Sequence, residues 1–357
     1  MNVALLNPVY WPEVRRGSER FARELADGLI AAGHRPRLIT SHPGLTTRTV
    51  EDGLEITRHW RPPQERLRRR RYEPWLTHLP LSYRDLLHGS DDIAHALYPS
   101  DGAVAARWSA NTGRPSVLSY MGLPHRASLS NRRGRLRLTL AAVHGCDAVV
   151  ALSQTAAEHF ERWLGVRARV IAPGVDLAAF SPDPAARAPV PTIVCAAAAA
   201  EPRKRVGLLV DAFALVRQER PDARLILSAP APFSAPGIEV RDLDDQAALA
   251  AANREAWVAA LPSWGEAFGL VLLEALACGT PVVGADREAI PEVVDSPAIG
   301  RLFSGSDPLA LADALLAALE LAEVPATAAA CRSRAEEFGW ERTTQAYLEL
   351  YRELGAA

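Results

Sequence analysis

Residues 256–283 constrain the fold of this chain more than any other stretch. Residues 256–261 are apolar and read as a strand. A turn flanked by Gly265 and Gly269 follows, then a helix over about residues 269–277. Gly279-Thr280-Pro281 stops that helix and starts a further strand at 281–283. The same alternation recurs along the chain. Residues 3–6 and 37–40 read as strands around a helix whose face carries Phe21, Leu25, Leu29 and Ile30 and which Gly33 ends. Residues 148–152 form another strand, and Ser153 caps a helix carrying Ala156, Phe160 and Leu164, with Gly165 beyond its end. In the second half, residues 192–195 and 224–227 read as strands, and 206–217, 309–321 and 341–354 as helices. Strand and helix in alternation give an α/β protein, with a parallel sheet covered by helices on both faces.

The chain has 357 residues, more than one hydrophobic core sustains, which predicts two domains of about 150–180 residues. The Pro-rich stretch 181–191 reads as the linker between them. Apolar residues at 48%, charged residues at 23% and a net charge of −2 exclude a disordered chain. No apolar run approaches the ~18 residues of a membrane span, and residues 1–6 read as a buried strand rather than a leader. Cys146, Cys195, Cys278 and Cys331 are far apart and match no metal or redox spacing, which points to free thiols in a reducing cytoplasm. Charge is divided: residues 1–175 hold 25 basic and 16 acidic side chains (+9), and residues 176–357 hold 15 and 26 (−11).

The chemistry concentrates around Glu266 and Glu274. The first lies just before the 269–277 helix and the second inside it, about two turns on. Between them the helix start exposes N–H groups without intrahelical partners, which favour an anion such as a diphosphate. One carboxylate can then accept hydrogen bonds from sugar hydroxyls and the other from a ribose. The chain contains 39 arginines and one lysine, Lys204, in the loop after the 192–195 strand. A single Lys retained against that preference points to a need for a compact ammonium, which suits a diphosphate as a point charge. A surface cluster with Arg203 and Arg205 is the alternative.

The string from Pro262 to Val283, Pro-Ser-Trp-Gly-Glu-Ala-Phe-Gly followed by Glu274 and Gly279-Thr280-Pro281-Val282-Val283, resembles the signature of retaining glycosyltransferases of family 4. The resemblance covers nearly the whole chain. It is strongest over residues 257–283 and weakest over about 42–115. It implies the GT-B fold: two doubly wound Rossmann-like domains facing across a cleft. These would be an N-terminal acceptor-binding domain (1–175), a C-terminal nucleotide-sugar-binding domain (176–338) and a final helix (339–357) crossing back onto the first. Ile171 to Asp176 resembles the segment that closes the first domain. The implied activity is that of a nucleotide-sugar-dependent hexosyltransferase, retaining, without metal or other cofactor. Glu266 would hold donor sugar hydroxyls and Glu274 the ribose. Lys204 would bind the diphosphate, and the backbone of Ala267, Phe268, Gly269, Leu270 and Val271 would contact sugar and phosphate. The family's usual diphosphate-contacting Arg is Ala199 here, and Arg203 is a candidate to replace its charge.

On the acceptor side, Pro12 to Arg20 resembles the family's N-terminal glycine loop, with Gly17 approaching donor phosphate and Ser18 in place of a second Gly. A simple turn over 17–20 into a helix capped by Ser18 is the other reading. The family's catalytic His falls at Met121, and His125 is a candidate to serve in its place, or is structural. The basic run Arg66-Leu67-Arg68-Arg69-Arg70-Arg71 with Tyr72 and Trp75 is compatible with an anionic acceptor, with peripheral contact on an anionic membrane, or with a solvated loop. No segment resembles a groove-reading nucleic-acid motif. A GT-B epimerase and a nucleotide-sugar-binding protein without transfer activity are the competing readings. Met121 and Ala199 are the only support for the second.

Overall fold

The computed structural model describes residues 1–13 and 17–356; Val14, Arg15 and Arg16 of the expected glycine loop lie outside the described residues. The chain divides into two compact units, Met1–Ala172 with Trp340–Ala357, and Pro173–Gly339.

Among its described residues the first unit contains eight strands: β1 Asn2–Leu6, β2 Arg35–His42, β3 Thr47–Glu51, β4 Leu54–Trp60, β5 Ile93–Ala96, β6 Ser116–Ser119, β7 Ala148–Ala151 and β8 Arg169–Val170. They lie in the order β3-β4-β2-β1-β5-β6-β7-β8. All neighbours are parallel except β3, which pairs antiparallel with β4. That hairpin departs from the all-parallel expectation. Its turn is Asp52-Gly53, both at positive φ (46° and 82°), the backbone a two-residue hairpin needs. The Asp-Gly pair is a sequence signal for it. Residues 17–20, read as a turn, instead open the helix Gly17–Ala31. Ser153 caps its helix as expected, its side chain accepting from the Ala156 amide at 3.0 Å, and Gly165 ends that helix at φ 67°.

The core of this unit joins Val3, Leu5, Phe21, Leu25 and Leu29 to Tyr347, Leu348 and Tyr351 of the last helix, Trp340–Glu353. Gly28 permits the close packing, because a Cβ there would come within 2.1 Å of the Thr344 hydroxyl. A buried polar chain adds direction to the contact. The His95 ring bonds the Tyr351 hydroxyl at 2.6 Å and the Ser119 hydroxyl at 2.7 Å, and Ser119 meets Tyr347 at 2.8 Å. Burial pushes the His95 imidazole down to about 3, so the ring stays neutral.

The second unit contains β9 Thr192–Cys195, β10 Arg224–Ser228, β11 Ile238–Arg241, β12 Val258–Leu261, β13 Val282–Ala285 and β14 Gly300–Phe303. The order β11-β10-β9-β12-β13-β14 is the doubly wound 3-2-1-4-5-6 arrangement, parallel throughout, with its reversal between β9 and β12. The stretch read as a linker is anchored to this unit instead. Arg254 donates to the Ser181 and Ala179 carbonyls at 2.7 and 2.6 Å, and the Trp257 indole donates to Ala188 at 2.8 Å. Proline enrichment marks extended chain here, and side chains distant in sequence make it rigid.

Candidate active site

In an open parallel sheet, ligands gather outside the carboxyl ends of the strands where the order reverses. In the second unit that place lies after β9 and β12. The loop after β9 carries Arg203 and Lys204, and the loop after β12 carries Glu266. A short 3₁₀ turn, Pro202–Lys204, aims the Lys. Lys204 Nζ lies 2.6 Å from Glu266 Oε1, and Arg203 Nη1 lies 3.4 Å from the same oxygen. Arg203 also meets Glu201 at 2.9 Å. The two loops are stitched together by the Trp264 amide donating to the Arg203 carbonyl at 2.8 Å. The Lys204 and Glu266 side chains remain 16% and 13% exposed, so the pair is within reach of a ligand.

The helix beyond Glu266 is Leu270–Ala277, entered through Gly269 at φ 102° with no side-chain cap. A Cβ at Gly269 would lie 2.8 Å from Ile290 Cδ1, so both conformation and space require glycine. Leu270 and Val271 in the uncapped first turn are half-buried, whereas Ala267, Phe268 and Gly269 are buried. Glu274 lies deeper in the same helix and is 2% exposed. The two glutamates thus occupy different environments, Glu266 at the rim and Glu274 inside.

Sequence reasoning missed several neighbours. Glu288, held at φ 54°, accepts from the Gly265 and Glu266 amides and so fixes the turn that presents Glu266. Trp264 is 38% exposed beneath two guanidiniums, Arg205 at 4.2 Å and Arg287 at 4.8 Å from its ring centroid. Burial, together with the Arg287 charge, lowers the pKa of Arg205. Glu288 and Arg287 follow β13, and no periodicity links them to residue 266. Among the described residues no group of three His, Cys, Asp or Glu side chains is placed to hold a metal ion.

The first unit has its own sheet reversal, between β1 and β5. Two adjoining cavities of about 250 and 570 Å³ lie beyond those strands and share Ser18, Tyr98 and Arg135 in their walls. Met121 lines the smaller one. Of the basic run, residues 65–69 form a helix, and Arg68 lines the larger cavity, its guanidinium 5.2 Å from the Trp75 ring centroid. His125 precedes the helix Arg126–Ser130 and caps it. Its Nδ1 accepts from the Ser128 amide at 3.2 Å, and the Ser128 hydroxyl bonds back to the His125 backbone. Gly17 begins its helix in the open, with nothing described within 4 Å of a Cβ built there.

Two α/β units, each built on a largely parallel sheet with one reversal of strand order, define a GT-B fold. The sequence profile described as Glycosyltransferase Family 4 matches residues 15–179, and that of Glycosyl transferases group 1 matches residues 190–321. The chain belongs to this family. It is 38% identical over 218 residues to a D-inositol 3-phosphate glycosyltransferase of Saccharomonospora viridis, a match covering 53% of this chain and 51% of the relative. The chain therefore spans about half the length of the curated relatives it matches. Sucrose-phosphate synthase from Thermosynechococcus elongatus superposes with a TM-score of 0.83 at 22% identity, covering 99% of each chain. Anabaena Alr3699/HepE, solved in complex with UDP-glucose, gives 0.76 at 19% identity, covering 99% of this chain and 100% of that one. No helix among the described residues is long and apolar enough to cross a membrane.

Proposed function

We propose that this protein transfers a sugar from a nucleoside-diphosphate sugar to an acceptor hydroxyl, with retention of configuration and without a resident metal ion. The observation that carries this reading is the Lys204–Glu266 pair, set at the β9/β12 reversal directly ahead of an uncapped helix start. The donor belongs to the second unit. Its diphosphate meets the Lys204 ammonium, the Arg203 guanidinium and the amides of residues 268–271, which together stabilise the negative charge that grows as the sugar departs. Once Lys204 turns to phosphate, Glu266 Oε1 is released to accept hydrogen bonds from sugar hydroxyls. Glu274 takes the ribose. The acceptor belongs to the cavities of the first unit. The UDP-glucose complex of the Anabaena neighbour is in keeping with the donor half of this reading.

Thermal stability in excess UDP, GDP, ADP and dTDP, on wild type and Glu274→Ala, tests the donor half. A ligand at ~100 times its dissociation constant adds about 2.7 kcal/mol to the native state. One nucleotide stabilising wild type but not the variant is the expected result, and indifference to all four would remove the reading. Transfer that continues in EDTA, with the product's anomeric configuration read by NMR, tests metal independence and retention.

A further inference from the structure

The one arginine common to both cavities of the first unit has no donor left to give. Arg135 Nε donates to Glu73 Oε2 at 2.6 Å and Nη2 to Glu73 Oε1 at 3.0 Å, a bidentate pair. Nη2 also reaches the Tyr98 hydroxyl at 3.5 Å, and Nη1 reaches the Ser128 carbonyl at 3.3 Å and Asn131 Oδ1 at 3.0 Å. A guanidinium has five N–H groups, and five acceptors face it. Tyr98 completes the set by donating to Glu73 Oε1 at 2.7 Å. Glu73 itself is 2% exposed and lines the smaller cavity. A carboxylate thus already occupies the position where an anionic ligand would meet this arginine. Among the described residues the remaining wall is uncharged: Ser18, Ser100, Tyr120, Met121 and apolar side chains. Burial raises the pKa of both Tyr98 and Tyr120, so neither phenol ionises at neutral pH.

We infer that the smaller cavity of the first unit receives an uncharged, hydroxyl-bearing acceptor, and that Glu73, held by Arg135 and Tyr98, excludes phosphorylated ones. This rests on the transferase reading above and specifies its acceptor class. The chemistry is direct. A carboxylate has about four acceptor positions, three of which are filled, so one stays available to a ligand hydroxyl. A phosphate in the same place would meet the Glu73 carboxylate at close range and find no free donor on Arg135, whose N–H groups already face that carboxylate, Tyr98, Ser128 and Asn131.

Titration calorimetry with inorganic phosphate tests this on wild type, Glu73→Gln and the double variant Glu73→Met/Arg135→Met. Phosphate bound in the second unit is common to all three and cancels. Glu73→Gln, which frees the guanidinium from its charge partner, is expected to gain a phosphate site at least about tenfold tighter than anything the wild type shows. Wild type and double variant should bind phosphate alike. A folded Glu73→Gln with no added site, or a wild-type phosphate site lost in the double variant, overturns the inference. The double variant removes both charges together and so decides the matter even if Glu73→Gln does not fold. Nucleotide-dependent stabilisation reports on the second unit separately. Its persistence beside a wild-type phosphate site in this cavity would refute the acceptor class and leave the transferase reading standing.

Discussion

The two units share a parallel sheet with one reversal of strand order, yet they treat charge at that reversal in opposite ways. The first unit, with the returning helix, carries 27 basic and 19 acidic residues (+8), and the second carries 13 and 23 (−10). Net charge would suggest that the first unit binds anions and the second repels them. The local arrangement reverses that expectation. In the basic unit, the central cavity arginine is saturated by Glu73, Tyr98 and two carbonyl-type oxygens. In the acidic unit, Lys204 is held by one carboxylate that a ligand can displace, ahead of helix amides with no side-chain cap. A site is made by charge that is left incompletely satisfied, and the sum over a domain says little about where that occurs.

The comparison can be broken most directly at the two ion pairs. Glu266→Ala should reduce transfer by about one to two orders of magnitude, the scale of losing a hydrogen bond between a sugar hydroxyl and a charged group, about 1.5–3 kcal/mol. It should alter stability by less than about 1 kcal/mol, because its partner Lys204 is partly solvated. A transfer assay beside a urea melt reads both. Glu73→Ala should do the reverse and destabilise the fold by about 3 kcal/mol, since the buried Glu73 carboxylate joins the Arg135 guanidinium and the Tyr98 hydroxyl in one network and three bonds are lost together. Equal stability losses in the two variants would erase the distinction between a site pair and a scaffold pair.

Acid sharpens the contrast next. The native His95 pKa is about 3, below the ~6.5 of the unfolded chain. Between those values the unfolded state takes up a proton that the native ring refuses, so stability falls as pH drops from about 6.5 towards 3, by up to about 1.4 kcal/mol per pH unit. Urea melts from pH 7 to 4 should show this slope, and His95→Gln should flatten it. A slope unchanged in the variant would assign the acid sensitivity elsewhere. The smallest effect is expected at Arg203. It is 48% exposed and 3.4 Å from Glu266, so Arg203→Ala should weaken nucleotide binding by about 1.5 kcal/mol, the low end for a bond to a charged group. Lys204→Ala should cost more. Equal losses in titrations of the two would make Arg203 a full replacement for the charge absent at Ala199.

Legibility followed chain distance. Four of the six described strands of the second unit, all but β11 and β14, could be read within two residues, and the helix Leu270–Ala277 within one, because turn chemistry and apolar period lie in contiguous segments. Lys204 stood out by being alone of its kind, and the structure places it against Glu266. Residues 42–115 were opaque. There the hairpin is flagged only by Asp52-Gly53, and Glu73 sits after an arginine run that draws attention to itself. The linker reading of 181–191 failed for a related reason: composition reports chain stiffness, whereas Arg254 and Trp257, some 70 residues on, decide whether the segment is held.

The α/β alternation, the family signature over 257–283 and the candidate donor-side carboxylates can be read along the chain, since each depends on residues close enough to share one strand, turn or helix. Which charges are available depends on segments brought together by folding. Glu73, Tyr98 and Arg135 come from three separated segments, and Glu288 and Glu266 from two. Hydrogen bonds and ion pairs act over about 3 Å in space regardless of separation along the chain. Whether a charged side chain is spent on the fold or kept for a ligand is therefore settled when the segments meet.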